Sequence, residues 1–188
     1  MPANNASLIG KVLSQLSRPP NYADRGVKDS ILVASAASYG RSSEDDLTQP
    51  TGFDPEAARL FEAIVESAFL VATADGEFDG TEQAAFQHVV LEACGGRVAE
   101  RQIAALLGDL HDQVAEDGVD KRIQMVARSI AREDHGREVL RVAALLAYVS
   151  GGVSDIERSM LDRLALALGL NAQATSTALS EVASALSD

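Results

Sequence analysis

The stretch Val71–Phe86, VATADGEFDGTEQAAF, decides how this chain folds, because an apolar helical run breaks there into Asp75, Glu77, Asp79 and Glu82 within eight residues. Upstream, Leu60, Phe61, Ile64, Val65, Ala68, Val71 and Ala72 hold the spacing of one helix face, and Asp54-Pro55 supplies an N-cap with Pro at the first helical position. Gly76 can end that helix in the left-handed conformation. Asp79 followed by Glu82 has capping-box spacing and opens a second helix, which runs to about Cys94 before Gly95 and Gly96 stop it. The acidic stretch is thus a corner between two helices.

The corner has a counterpart. Shifted by 75 residues, Ala68 falls on Ala143, Ala72 on Ala147, Gly76 on Gly151, Glu82 on Glu157 and Leu91 on Leu166. Ser154 and Glu157 make a second capping box, followed by Ile156, Met160, Leu161, Leu164 and Leu168, with Gly169 as the stop. Between the two units, Ile103, Leu106, Leu107, Leu110 and Val114 mark a helix ended near Gly118, and Ile123, Val126 and Ile130 mark another. The run REVLRVAALLAYVS, apolar nearly all round after Arg141, predicts a helix surrounded by others, and Asn171 precedes a last helix carrying Leu179, Val182 and Leu186. No strand-like alternation interrupts this series, so residues 53–188 are expected to form one all-α domain of two helix–acidic corner–helix units.

Residues 1–52 are expected to be an arm in front of that domain. Leu8, Ile9, Val12, Leu13 and Leu16 predict an amphipathic helix from about Ala6 to Ser17, closed by Pro19 and Pro20. The apolar segment DSILVASAASYG is too short to assign between helix and strand, and RSSEDDLTQPTG, residues 41–52, has the composition of a linker.

Composition narrows the function classes. Sixteen basic against twenty-eight acidic residues give a formal charge of −12, which opposes binding to nucleic acid or anionic lipid and favours cations and basic partners. A single cysteine, Cys94, excludes an intrachain disulfide and a thiolate metal framework. The opening residues lack a secretory pattern, and no run reaches the ~20 apolar residues of a membrane span, so a soluble cytoplasmic protein is expected. His88, His111 and His135 are well separated, and no nucleophile, oxyanion-stabilising or cofactor motif accompanies the carboxylates, so no catalytic residue is assigned. Lys121, Arg122, Arg128 and Arg132 form the notable basic cluster and are expected to pair with acidic neighbours.

Two readings of the first corner stay open. Asp75, Glu77, Asp79, Gly80 and Thr81 stand where an EF-hand loop places its first, third, fifth, sixth and seventh residues, but Phe86 occupies the twelfth place, which requires a bidentate Glu. A different hard-cation site, calcium-like in its oxygen ligands, remains one reading. The other is helix punctuation, in which Asp79 and Glu82 cap the second helix and favour its positive end.

The segments ATADGEFDGTE and YVSGGVSDIE resemble the paired acidic corners of the tellurite-resistance TerB family and its TerB-like relatives, over about Asp54–Asp188. The resemblance implies a compact all-helical domain linked to tellurite resistance and stress responses, with corner acids gathered into a metal-binding surface. It marks Asp75 and Glu82 in the first corner and Glu157 in the second, and departs at Ser150 and Gly152, which stand opposite Asp75 and Glu77. The expected function is a non-enzymatic module that binds a divalent cation through Asp75, Glu77, Asp79, Glu82 and Glu157 and docks other proteins. The alternatives are a metal-independent scaffold whose acids are caps and, ranked last, a metal-dependent hydrolase.

Overall fold

The computed structural model describes residues 3–23, 26–41, 53–76, 78–150 and 152–187. Among these there are helices and no strand: α1 (Ala3–Ser17), α2 (Ile31–Tyr39), α3 (Pro55–Ala72), α4 (Gly80–Ala93), α5 (Glu100–Asp117), α6 (Val119–Ser129), α7 (Glu133–Ala147), α8 (Asp155–Ala167) and α9 (Ala174–Ser187). The ambiguous apolar segment is a helix. Ser30 caps it, accepting the Val33 N–H, and Leu32, Val33 and Ala36 are buried. The linker residues from Ser42 to Gly52 lie outside the described residues.

α3 and α7 pack on each other and form the centre. Their sequences say why: Ala63–Val71 and Glu138–Ala147 are buried without interruption, as a helix surrounded by others requires. α2 and α6 cover α3, and α9 covers α7, while α8 touches both central helices. Phe61, Ile64, Leu140, Leu145 and Leu161 are fully buried, and so are Val12 and Leu16 from α1 and Leu32 from α2, so the N-terminal helices share this core. Burying side chains of this size contributes roughly 1.5–3 kcal/mol each.

Two buried charged clusters tie outer helices to the centre. Glu66 on α3 accepts a bond from Arg122 Nε of α6 at 2.6 Å, and Arg122 Nη1 reaches Asp117 Oδ2 at 3.2 Å. The hydrogen bond from Lys121 and that from Arg122 hold the Asp117 carboxyl below the usual carboxylate range. The basic cluster therefore pairs with acids as expected at Lys121 and Arg122, and Arg132 pairs with Asp134.

The second cluster serves the N-terminal helices. Arg141 on α7 donates from Nη1 to the Gln15 carbonyl at 3.1 Å and from Nη2 to the Arg18 carbonyl at 3.0 Å, satisfying acceptors at the end of α1. One helical turn away, Glu138 Oε1 accepts the Ile31 N–H at 2.8 Å, at the start of α2. Burial lowers the Arg141 guanidinium and raises the Glu138 carboxyl from their usual ranges; at 3.9 Å their mutual attraction does not offset the loss of water.

Candidate functional site

The first corner is assembled from local rules. Thr73 ends α3, its N–H and hydroxyl both donating to the Phe69 carbonyl at 2.9 Å. Gly76 follows at φ +81°, a conformation a side chain would strain. Phe78 then anchors the turn: its ring meets Phe69 edge-on at 5.6 Å and Phe86 edge-on at 6.0 Å. Phe86 is itself buried, so the twelfth EF-hand position belongs to the core and supplies no ligand.

Asp79 is the N-cap of α4. Its Oδ1 accepts the Thr81 N–H at 2.7 Å and the Glu82 N–H at 2.9 Å, while Glu82 Oε2 accepts the Asp79 N–H at 3.2 Å. The second corner repeats the device 75 residues on. Ser154 Oγ accepts the Glu157 N–H at 3.2 Å, and Glu157 Oε2 accepts the Ser154 N–H at 2.8 Å. Capping spacing legible in sequence is capping geometry in space at both corners.

The candidate ligands fall as follows. Asp75 is exposed in the turn after α3, Asp79 and Glu82 are joined by the capping box, and Glu157 is buried in the other cap. Glu77 lies outside the described residues. Among the described residues, no three or more His, Cys, Asp and Glu side chains are grouped so as to hold a metal ion, so Asp75, Asp79, Glu82 and Glu157 do not converge into one such cluster. The capping bonds use Asp79 Oδ1 and Glu82 Oε2. Oδ2 and Oε1 lie outside those bonds, and an ionised carboxylate can accept through both oxygens. The donor chemistry suits a hard cation, whose six to eight oxygens would have to come largely from water and backbone.

Of the three histidines, His88 and His111 are exposed and His135 is half-buried. Cys94 is fully buried at the end of α4, and burial pushes its thiol up to about 12, far from the range of a reactive thiolate. Sequence reasoning did not anticipate a groove beside the first corner, bounded by the end of α3, the corner itself, α5 and the start of α6. Its walls come from segments up to 50 residues apart (Phe69 to Val119), which no local pattern connects.

A model of the family described as Tellurite resistance protein TerB matches residues 61–180, from within α3 to within α9, and so includes both corners. No curated protein and no solved structure matches the chain. No helix among the described residues is long and apolar enough to cross a membrane.

Proposed function

The chain belongs to the TerB family, and from that premise we propose that it is a non-enzymatic, tellurite-resistance-like stress module that takes a hard divalent cation at its first corner and docks partner proteins through its helical surface. The supporting observation is the division of labour at α4: one oxygen each of Asp79 and Glu82 caps the helix, and the other is outside the cap, on the same corner as exposed Asp75. Asp75 is the principal ligand in this reading, Asp79 and Glu82 assist, and Glu77, between Asp75 and Asp79 in the sequence, is a further ligand. Glu157 is assigned to its cap, with any contribution to the metal secondary. The cytoplasm is the proposed setting, where a lone buried thiol needs no oxidising partner.

A second reading is favoured by a specific observation: Asp79, Glu82 and Glu157 are all engaged in capping boxes, which accounts for them without any ligand. In that case the protein is a metal-independent scaffold. Isothermal titration of the chelator-stripped protein with calcium, magnesium, manganese and zinc separates the two. The cation reading expects saturable binding near one equivalent, lost in Asp75→Ala and weakened in Glu82→Ala, with helical circular dichroism retained in Asp75→Ala. Diffuse binding that added salt removes would leave the scaffold, and unchanged affinity in Asp75→Ala would count against Asp75 as the ligand.

A further inference from the structure

The groove beside the first corner has a volume of about 550 Å³. Phe69, Phe78, Leu107, Val114 and Val119 supply its apolar surface, and Phe78, Val114 and Val119 are only partly buried, so a concave apolar strip faces solvent. On the α5 side the wall is low. Gly108 is exposed there, and a Cβ built on it would meet nothing within 4 Å, which lets another backbone come close.

Asp112 is the acidic side chain among the described residues that line the groove, and Asp79 and Glu82 adjoin the lining residues Phe78 and Gln83 in the chain. No Lys or Arg is among the described residues that line it, and the whole chain carries −12. An apolar floor beside Asp112, on a chain of this charge, disfavours phosphate backbones and anionic lipid and matches a helix with apolar anchors at successive turns and basic residues beside them.

We infer that this groove docks a basic amphipathic helix of a partner protein. The inference deepens the partner-docking half of the proposed function, and it does not depend on the cation. The experiment is therefore run on the full chain with chelator present, so that its failure and the failure of cation binding are separate results.

The probe is a synthetic amphipathic helix of Leu and Lys, titrated into isotopically labelled protein and followed by amide chemical shifts, with the same Leu pattern carrying Glu as the control. Saturable shifts centred on Phe78, Gly108, His111 and Ala115, absent with the Glu peptide, are the expected result. Gly108→Phe fills the groove from its open wall and should weaken binding about tenfold, as should Asp112→Lys. Gly108→Phe carries no charge change and replaces a poor helix former, so retained thermal stability shows that its effect is local. Shifts on another face, equal binding of the Glu peptide, or no effect of Gly108→Phe would overturn the assignment. So would the same amides shifting on dilution without peptide, because the occupant would then be a second copy of the chain.

Discussion

Replacing Arg122 by Met probes the buried link between α3 and α6. Arg122 Nε lies 2.6 Å from Glu66 Oε1, and both side chains are less than one-tenth exposed, at 9% and 7%. Removing the cation strands a carboxylate in that setting, a change that costs about 3–5 kcal/mol, a large share of the roughly 5–15 kcal/mol that holds a domain folded. The converse change is milder. Glu66→Gln leaves Arg122 its second partner, Asp117 at 3.2 Å, and an amide oxygen that still accepts, so about 1–2 kcal/mol is expected. The double variant removes both charges and should recover about 1–2 kcal/mol relative to Arg122→Met alone. Urea unfolding, which leaves ionic strength unchanged, reads these as shifts of midpoint at constant slope. A cost below about 1 kcal/mol for Arg122→Met, or one equal to that of Glu66→Gln, would refute the reasoning.

Three further outcomes are expected. A Cβ on Gly40 would lie 1.7 Å from the Arg97 carbonyl oxygen, so Gly40→Ala should lower stability by about 1–3 kcal/mol, whereas Gly108→Ala, in open space on α5, should raise it by up to about 1 kcal/mol; thermal melts that fail to separate the two would count against the close approach. Asp79→Ala and Ser154→Ala should each cost about 1 kcal/mol in urea unfolding through a lost N-cap, and changes of only a few tenths in both would remove the capping account. Cys94 should resist thiol reagents in the folded protein at neutral pH. Its thiol is held neutral up to about 12, so the stability it contributes is full below the unfolded thiol value of about 8.5 and is lost as pH rises towards 12; Cys94→Ala should lack that alkaline loss, and prompt labelling of native protein would contradict the burial.

What the sequence made legible was local. The capping boxes at Asp79/Glu82 and Ser154/Glu157 depend on a three-residue spacing, and the stops at Gly76, Gly118 and Gly169 on one residue adopting positive φ, so both survive into the structure unchanged. The all-apolar character of α7 pointed correctly to the centre. α2 could not be assigned because nine residues, apolar on several sides, carry almost no periodic signal; its identity comes from Ser30 and from packing on α3. Glu66 and Arg122 stand 56 residues apart, and Arg141 reaches carbonyls more than 120 residues away, so neither cluster had a local signature. The repeat itself carried less than its alignment suggested: Leu91 is half-buried, but Leu166, 75 residues on, is 79% exposed. At the candidate site, spacing identified the corner acids and both capping boxes, but it could not show that Glu157 would be buried in its cap while Asp75 stays exposed.

The grip of α7 on the N-terminal helices separates two lengths that are easily equated. Arg141 and Glu138 lie within the part of the chain that matches the family, residues 61–180, but the groups that satisfy them, at Gln15, Arg18 and Ile31, lie before it. A fragment trimmed to the match would keep two charged side chains in sockets shaped for partners it no longer has. It would also uncover the apolar surface that Val12, Leu16 and Leu32 now seal. The span over which this chain resembles its relatives is therefore shorter than the span over which it folds, and any dissection of its function has to cut by the second measure.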